Sequence, residues 1–424
     1  MRLSSTLIKR LFGIALLLGL APAARPLMEN PASLQQKQAI WDRPGVAAEG
    51  TPEDQILFAI DAIRQGRFND AGATVDQLLT EQPNYRLAHL LRADLYAMRA
   101  MPLRAMGGGA NAPSEQLEDL RQEALVRLRY RQKPPAADAL PGNLLVFSPR
   151  QKHAIVVDAS TSRLFVFENR QGIPVRVADF YTTVGKLGVE KQREGDQRTP
   201  LGVYFITSFL SRAQLDRNYG NLADLYGVGA WPLSYPNEWD KREGKTGYGI
   251  WLHGSPAQTY ARPPQASNGC VVLTNPEMLA VSQWLDVGQT PVVITPKIEW
   301  LHPTDWHARQ ENAMHLLDSW RNSWEVLDNQ RYFSHYSAHF RSEDGLDFAR
   351  WRSQKFAVAS SKKWVRVALN DISIFATGGE KPQLVSTFVQ EYKSNNLENR
   401  MKKRVYWNRE GNAWKIAWEG AAAS

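Results

Sequence analysis

The sequence predicts a multidomain protein with a helical N-terminal region, a central mostly β domain and a C-terminal α+β domain. At 424 residues the chain is too long for one ordinary domain of about 100–200 residues. The spacing of apolar residues changes from a helical period to alternation near residue 143, and a helical pattern returns near residue 306. Proline-rich segments at about 131–142 and 296–303 separate these regions. Such linkers predict that the domains are separable.

The N-terminal region, residues 51–131, is predicted to be α-helical. Thr51-Pro52-Glu53-Asp54 is a helix start, with a capping residue, proline at the first position and acids in the first turn. A Gly-x-Phe-x-x-Ala run followed by Pro-Asn-Tyr-x-x-Ala resembles tetratricopeptide-type helical hairpins. At most one and a half such units are visible, so an ordinary helical bundle stays an alternative.

The central region, residues 143–297, alternates apolar and polar residues with a period of two. Short runs rich in β-branched and aromatic residues are separated by turn residues, and they read LLVF, HAIVVDAS, RLFVFEN, VRVADFYTTVG, RTPLGVYFITS and PVVIT. These runs predict a mostly β domain with irregular loops.

The first 23 residues have the pattern of a secretory signal peptide. Arg2, Lys9 and Arg10 precede an apolar run from Leu11 to Leu20, and Ala21-Pro22-Ala23 supplies a cleavage signal. An uncleaved membrane anchor is the alternative, but a spanning helix needs about 20 apolar residues. We therefore expect an exported, periplasmic protein without a stable membrane span after cleavage.

Charge and cysteine content narrow the function classes. The net charge is +8, but no concentrated Lys/Arg stripe occurs, so no nucleic-acid partner is predicted. Exported proteins usually carry cysteines in disulfide pairs, whereas this chain has one cysteine. Such a thiol is either buried and inert or kept as a nucleophile.

The residues that indicate chemistry lie between Gly249 and Asn275. Gly-Ile-Trp-Leu-His-Gly-Ser ends at Ser255, and Ser-Asn-Gly-Cys follows at 267–270. A thiol nucleophile needs a base, and histidine is suited to that role because its pKa lies near neutrality. Gly269 lets the backbone turn closely before Cys270, so that amide groups there can face a developing oxyanion.

This pattern resembles the L,D-transpeptidase (YkuD-type) catalytic domain family over about 155 residues. His-Gly followed by Ser-x-Gly-Cys is the family's signature, and Gly185-Lys186 and Asp196-x-Arg198-Thr-Pro-Leu-Gly202 match its approach strand and turn. The resemblance implies that Cys270 is the nucleophile and His253 the base. It also implies that the Gly254 carbonyl orients the imidazole, and that the loop Ser267–Cys270, which contains Asn268 and Gly269, forms the oxyanion site. Its substrates would be peptidoglycan stem peptides, and no cofactor or metal is expected.

Two positions depart from the family pattern. Asn268 stands where the family commonly has histidine, and Val272 where it commonly has arginine. A branch with Ser-x-Gly-Cys includes a hydrolase that detaches lipoprotein from peptidoglycan. The departures leave hydrolysis, by a carboxypeptidase or amidase, as an alternative to transpeptidation. A non-catalytic wall-binding scaffold is a further alternative.

The C-terminal region, residues 306–420, resembles the nuclear-transport-factor-two-like (SnoaL-like) cone fold. An aromatic-rich helix is predicted from Trp306 to Tyr336, followed by strands that carry Phe-x-Gln-x-Tyr at 388–392 and Trp-Lys-Ile at 414–416. This likeness concerns the fold alone. Together with the helical region, this domain is a candidate for binding other cell-wall proteins.

Several other residues are candidates with alternative explanations. Arg198 and Lys186 are candidates for binding substrate carboxylates, and Tyr248 and Trp251 are candidates for ligand contact or for packing. His315, His335 and His339 lie in the C-terminal region. The pair His335 and His339 has the i, i+4 spacing of helical metal ligands, but no carboxylate accompanies it at a matching spacing. No metal site is therefore predicted.

Overall fold

The computed structural model describes residues 43–422, and these residues form two units. The first unit comprises the chain up to Lys133 together with residues 256–264. The second comprises residues 134–255 and 265 onward. The predicted signal peptide lies outside the described residues.

Between residues 43 and 133, the first unit has four helices, in agreement with the predicted helical region. They are α1 (Pro52–Arg64), α2 (Phe68–Glu81), α3 (Arg86–Ala100) and α4 (Ser114–Gln132). Thr51 caps α1 in a capping box with Asp54. The helical region is therefore present, while its likeness to tetratricopeptide repeats stays a prediction.

The core of this unit contains a buried polar network. Arg127 Nη2 lies 3.0 Å from Glu123 Oε1, and both side chains are almost fully buried. Tyr85 OH donates to the same Glu123 oxygen at 3.3 Å. The ring of Tyr260, from the segment 256–264, packs on Tyr85 with centroids 4.7 Å apart. That segment therefore belongs to the core of the helical unit.

The second unit begins with the strands that build the central domain. In chain order they are β1 (Leu140–Pro141), β2 (Leu144–Val146), β3 (His153–Asp158), β4 (Arg163–Arg170), β5 (Ile173–Tyr181), β6 (Val184–Gly185), β7 (Gly202–Phe205) and β8 (Leu210–Ser211). Helix α5 (Arg212–Tyr219), a 3-10 helix (Gly220–Tyr226), β9 (Gly229–Pro232) and α6 (Glu238–Arg242) follow. The domain is completed by β10 (Trp251–His253), β11 (Gln265–Ser267), β12 (Val271–Val272), α7 (Asn275–Ser282), β13 (Pro291–Thr295) and β14 (Trp300–Leu301).

Two sheets of the central domain share one apolar core. A five-stranded sheet has the order β5-β4-β3-β13-β7, and a four-stranded sheet has the order β12-β10-β9-β8. Alternate residues of both sheets point into the core, among them Ile155, Val292, Leu252 and Val271, all of which are fully buried. A third pairing joins β6 to β11. The mostly β prediction for this domain is confirmed.

The C-terminal domain packs helices on a six-stranded, mostly antiparallel sheet. Its elements are α8 (Pro303–Glu325), α9 (Asn329–Ser334), β15 (Tyr336–Ser342), α10 (Phe348–Ser360), β16 (Val365–Ala376), β17 (Gln383–Ser394), β18 (Glu398–Glu410) and β19 (Ala413–Ala421). Trp306, Trp320 and Trp407 are fully buried between the helices and the sheet. The predicted helix-on-sheet arrangement is present.

Three details differ from the sequence prediction. The helix predicted from Trp306 to Tyr336 ends at Glu325, because Leu327 adopts a left-handed backbone with φ of 57°. Strand β2 pairs with β16 and so extends the C-terminal sheet. The two predicted linkers are joined to each other, because β1 pairs with β14. The central and C-terminal domains therefore share a sheet, which the linker composition does not indicate.

Within residues 43–422, no helix is both long enough and apolar enough to cross a bilayer.

Candidate active site

Parallel pairing of β10 with β12 joins the segments of the two predicted catalytic residues: His253 ends β10, and Cys270 directly precedes β12. Leu252 lies opposite Val271, and His253 opposite Val272. Leu252 and Val271 both point into the apolar core. Since side chains alternate along a strand, the side chain of His253 lies on the face of the sheet opposite to Leu252. This register brings together two chain segments whose candidate residues, His253 and Cys270, are 17 positions apart in the sequence.

The imidazole of His253 is buried and held by the residue that follows it. His253 is 4% exposed, and its Nδ1 lies 2.7 Å from the Gly254 carbonyl oxygen. A carbonyl only accepts hydrogen bonds, so Nδ1 carries the proton and Nε2 is the basic nitrogen of the neutral ring. The ring of Tyr226 packs edge-on against the imidazole, with centroids 5.3 Å apart.

Gly254 fits a position where a side chain has no space. A Cβ at this residue would lie 2.1 Å from Asn275 Oδ1, which accepts a hydrogen bond from the Val228 amide at 3.2 Å. The Gly254 amide donates to the carbonyl oxygen of Tyr226 at 3.2 Å. The Gly254 carbonyl beside the imidazole is therefore held in place by the close approach of Asn275 and by the hydrogen bond to Tyr226.

The loop before Cys270 is held by hydrogen bonds from its own serine and from a threonine outside it. Ser267 Oγ donates to the Cys270 carbonyl at 2.6 Å and accepts from the Gly269 amide at 3.1 Å. Thr199 Oγ1 donates to the Gly269 carbonyl at 2.9 Å. Gly269 has φ of 121°, and a Cβ there would lie 2.7 Å from the Arg198 carbonyl oxygen. A glycine is therefore required both for its dihedral and for the close approach.

The thiol of Cys270 faces the chain segment that precedes β10. Its Sγ donates to the Gly249 carbonyl oxygen at 3.3 Å, and the side chain is partly exposed. Burial, and next the charge of the Cys270 thiolate, raise the pKa of the Tyr226 hydroxyl. Tyr226 therefore contacts His253 through its ring, and its hydroxyl is sensitive to the charge on Cys270.

Asp196 organises the loop that carries the threonine and arginine of the turn motif. Its carboxylate accepts hydrogen bonds from Lys191 Nζ at 2.8 Å and from the backbone amides of Gln192, Arg193 and Arg198. Burial opposes the ionised form, but these hydrogen bonds together lower the pKa of Asp196 to about 2. The carboxylate is therefore ionised at neutral pH and fixes the loop.

The predicted substrate-binding residues have different surroundings. Lys186 is exposed, and its amide donates to the Ser267 carbonyl at 2.7 Å. Arg198 is half-buried, and its Nη1 donates to the Val189 carbonyl at 2.9 Å. Both residues thus border the cysteine loop.

Two aromatic candidates and Asn268 complete the predicted set. Tyr248 is 77% exposed and available to solvent. Trp251 packs against Tyr226 and Tyr219, with centroids 4.7 and 6.0 Å away, as the packing alternative predicts. Asn268 is exposed, and its Oδ1 accepts a long hydrogen bond from Gln197 Nε2 at 3.4 Å.

His335 and His339 do not lie on one helix, so their i, i+4 spacing does not bring them together as metal ligands. His335 follows helix α9, and His339 lies inside strand β15. His315 lies on α8. Across residues 43–422, no group of three His, Cys, Asp or Glu side chains is arranged to hold a metal ion.

Two residues at this site have no signal in the sequence motifs. Tyr226 precedes His253 by a loop and a strand, and only the fold brings its ring to the imidazole. Asn275 lies five residues after Cys270, but its contact at Gly254 depends on the β10–β12 pairing. Neither position is marked by spacing or residue type alone.

Comparisons with known proteins match both folded domains of the second unit. Residues 152–294 match the L,D-transpeptidase catalytic domain (YkuD), and residues 312–420 match the Cds6 C-terminal NTF2-like domain. No curated protein sequence matches the chain.

Two solved structures are similar over most of their length. Bd1075 from Bdellovibrio bacteriovorus is 28% identical, with a TM-score of 0.58, and the match covers 68% of this chain and 99% of that one. The helical cell shape determining protein Pgp2 from Campylobacter jejuni is 23% identical, with a TM-score of 0.55, covering 66% and 95%. The second likeness concerns the fold alone.

The matched ranges contain the residues that the motifs single out. The match at 152–294 includes His253, Cys270 and the turn motif at 196–202, while the match at 312–420 covers most of the C-terminal domain. The chain therefore contains an L,D-transpeptidase (YkuD) catalytic domain, which indicates a peptidoglycan-modifying enzyme, and a C-terminal NTF2-like domain.

Proposed function

We propose that the protein is a peptidoglycan L,D-transpeptidase that acts on stem peptides through a thioester at Cys270. The observation that supports this proposal is the parallel pairing of β10, which ends at His253, with β12, which begins directly after Cys270. The Gly254 carbonyl, 2.7 Å from Nδ1, selects the tautomer whose Nε2 can accept the thiol proton.

The acylation step uses the thiol and the imidazole as a pair. His253 Nε2 takes the proton from Cys270, and Sγ attacks the carbonyl carbon that joins diaminopimelate to the terminal D-Ala. As the tetrahedral intermediate collapses, the C–N bond breaks and imidazolium gives its proton to the departing D-Ala amine. A thioester and a neutral imidazole remain.

The second step regenerates the thiol. Neutral His253 accepts a proton from the incoming amine of another stem peptide as that amine attacks the thioester. The C–S bond then breaks, and the thiolate of Cys270 is reprotonated by the imidazolium. One base therefore suffices for both half-reactions, although position 268 is asparagine rather than histidine.

The backbone amides of the cysteine loop, Ser267–Cys270, are the candidate hydrogen-bond donors to the oxyanion. The Gly269 amide already donates to Ser267 Oγ at 3.1 Å, so this amide is used to hold the loop. We propose that the remaining amides of the loop, Asn268 and Cys270, face the oxyanion, with Asn268 also offering its side-chain amide. Lys186 and Arg198, at the border of the loop, are the candidates for the substrate carboxylates, and exposed Tyr248 is the candidate aromatic contact.

Hydrolysis is the second candidate for the same thioester. Asn268 is exposed beside the nucleophile and cannot carry charge or move a proton, a feature that favours water as the acceptor over a bulky stem amine. Attack by water would make the enzyme an L,D-carboxypeptidase or an amidase. A non-catalytic scaffold is disfavoured, because a lone oxidisable thiol beside a histidine has no use in a scaffold.

Location and partners belong to the same proposal. The N-terminal pattern supports export to the periplasm, where peptidoglycan is the substrate. The helical region, with its likeness to tetratricopeptide repeats, and the NTF2-like domain are candidates for binding other cell-wall proteins.

Two measurements test the proposed function. Intact-mass spectrometry after incubation with a carbapenem should show one adduct on the wild-type protein and none on Cys270→Ala. Product analysis of purified muropeptides, with and without an acceptor stem or a D-amino acid, should show amine-derived products. Water-derived products under every condition would contradict transpeptidation and leave a cysteine-dependent hydrolase.

A further inference from the structure

Helix α6 of the catalytic domain is held by an ion pair from the C-terminal domain. Arg404 Nη1 donates to both carboxylate oxygens of Glu238, at 2.9 and 2.8 Å, and Tyr406 OH donates to one of them at 2.9 Å. The side chains of Arg404 and Glu238 are 4% and 13% exposed. A buried charge-assisted pair with further hydrogen bonds fixes geometry far better than an exposed pair.

The other end of the same helix is held by backbone carbonyls of the C-terminal domain. Arg242 donates to the Ala417 carbonyl at 2.9 Å and to the His339 carbonyl at 2.8 Å. Between these two anchors, the ring of Trp239 stacks on Tyr406 with centroids 5.7 Å apart. Glu238 and Arg242 therefore connect both ends of α6 to the C-terminal sheet, while Asp240 of the same helix accepts a hydrogen bond from Tyr204 of the catalytic domain at 3.0 Å.

The loop that follows α6 leads directly to the active-site cysteine. Lys245 Nζ lies 2.9 Å from Asp240 Oδ1 on the helix, so the loop begins from a fixed point. Tyr235 OH donates to the Thr246 carbonyl at 2.9 Å. Three residues later, the Gly249 carbonyl accepts the hydrogen bond from Cys270 Sγ at 3.3 Å.

The Gly249 carbonyl has two physical effects on the thiol. It fixes the direction of Sγ, and it stabilises the protonated form, because a carbonyl oxygen accepts from S–H but repels a thiolate. A displaced carbonyl would leave the thiol less ordered and easier to ionise.

We propose that Arg404 and Tyr406 are positioning residues for Cys270, which act through Glu238, helix α6 and the loop that ends at Gly249. The C-terminal domain thereby sets the orientation and ionisation of a thiol that lies in the catalytic domain. The importance of this effect for turnover rests on the proposed function, whereas the effect on the thiol itself does not.

The test compares three single variants of the full-length protein. Arg404→Met removes the ion pair, and Tyr406→Phe removes one hydroxyl without changing the packing volume. Arg400→Met is the matched control, because Arg400 lies on the same strand and forms an exposed pair with Glu391, with side chains 66% and 49% exposed. Thermal melts first establish the temperature at which each variant is fully folded.

The main measurement is the rate of Cys270 alkylation by iodoacetamide as a function of pH. Cys270 is the only cysteine in the sequence, so the rate reports on this thiol alone. We expect the pH midpoint to move to lower pH in Arg404→Met and, by a smaller amount, in Tyr406→Phe, and to be unchanged in Arg400→Met. On muropeptide substrate, kcat should fall about fivefold in Arg404→Met, with KM within about twofold, because orientation rather than binding is affected.

The outcomes separate the inference from the proposed function. Wild-type midpoints in folded Arg404→Met and Tyr406→Phe would overturn the positioning role. A wild-type protein that neither turns over muropeptides nor reacts with a carbapenem would overturn the proposed function, while the alkylation profiles would still decide the positioning role. An equal shift of the alkylation midpoint in Arg400→Met would also overturn the positioning role, because a general perturbation of the sheet would then explain the effect.

Discussion

The Nδ1 atom of His253 lies 2.7 Å from the carbonyl oxygen of Gly254. This short contact within one dipeptide fixes the tautomer without a carboxylate partner, which many histidine bases use. Gly254 in turn is fixed by the hydrogen bond that its amide donates to the Tyr226 carbonyl oxygen and by the lack of space beside Asn275. The orientation of the base therefore depends on backbone geometry.

We predict that Cys270→Ala abolishes turnover and carbapenem adduct formation while the fold is retained. His253→Ala should lower kcat by about 10²–10⁴-fold, because proton transfer by a positioned base contributes about that factor. Steady-state kinetics on muropeptides and circular dichroism check both variants. A Cys270→Ala protein with a wild-type rate would contradict the central claim.

We predict that Gly269→Ala disrupts the cysteine loop. The new Cβ would lie 2.7 Å from the Arg198 carbonyl oxygen at a φ of 121°. The destabilisation should be about 1–3 kcal/mol, the usual range for a residue in a sparsely populated backbone region. The alkylation rate of Cys270 and the thermal melting temperature are the measurements.

Gly411→Ala is the matched control for that change. Gly411 also has positive φ, at 58°, but nothing lies within 4 Å of the position of its Cβ. It should cost about 1 kcal/mol and leave the alkylation rate unchanged. Equal effects of the two substitutions on Cys270 would mean that the close approach at Gly269 has no role.

The motifs predicted much of this site because the chemistry depends on a few residue types at fixed spacing. His-Gly and Ser-x-Gly-Cys mark the two strand ends, and the apolar Val271-Val272-Leu273 marks the strand beneath the nucleophile. Strand patterns at 364–376, 383–394 and 402–419 likewise predicted the C-terminal strands, although the structure divides the last run into β18 and β19.

The sequence did not predict how the domains share structure. Strand β2 is only three residues long, and its apolar side chains suit either sheet, so alternation could not show that it pairs with β16. Glu238 and Arg404 are 166 residues apart, and in the sequence each looks like an ordinary charged residue on the protein surface. Long-range pairing is set by tertiary packing, which local patterns do not encode.

We predict that Asp196→Asn loosens the turn-motif loop. The carboxylate fixes three backbone amides and pairs with Lys191, whose side chain is 3% exposed. An amide leaves that ammonium unpaired, so we expect a loss of about 1–2 kcal/mol in unfolding free energy. Denaturant unfolding at neutral pH measures it, and an unchanged midpoint would contradict the structural role of Asp196.

Acid titration gives an independent test of the same residue. The pKa of Asp196 is about 2 in the folded protein against an ordinary 3.8. Its contribution to stability is therefore complete above pH of about 4 and is lost as the pH falls toward 2. Between pH of about 4 and 2, the free energy of unfolding should therefore fall less in Asp196→Asn than in the wild type.

We predict that a chain ending at residue 300 is much less stable than one ending at 422. Truncation removes the β16 partner of β2 and the Trp306 indole, which donates to the Leu144 carbonyl at 3.0 Å. It also leaves Glu238 without Arg404. This expectation replaces the separability that the proline-rich linkers predict. Melting temperatures and solubility of the two proteins are the measurements, and equal values would show that the shared sheet is dispensable.

The last prediction concerns His335, whose ring is largely buried in the C-terminal domain. Burial, and then the charges of Lys415 and Arg331, lower the pKa of His335 from 6.5 to about 4, and its Nε2 has no hydrogen-bond partner. The folded protein thus holds the neutral ring, whereas the unfolded chain binds a proton below pH of about 6.5. The contribution of His335 to stability is therefore complete above pH 6.5 and is lost as the pH drops toward 4, by about 1–2 kcal/mol for a group that is not fully enclosed.

The variant His335→Gln has a side chain of similar size that does not titrate. Its melting temperature should therefore fall less between pH 7 and pH 4.5 than that of the wild type. The exposed His315→Gln is the control and should follow the wild type; parallel pH profiles for all three proteins would show that His335 does not titrate in this range.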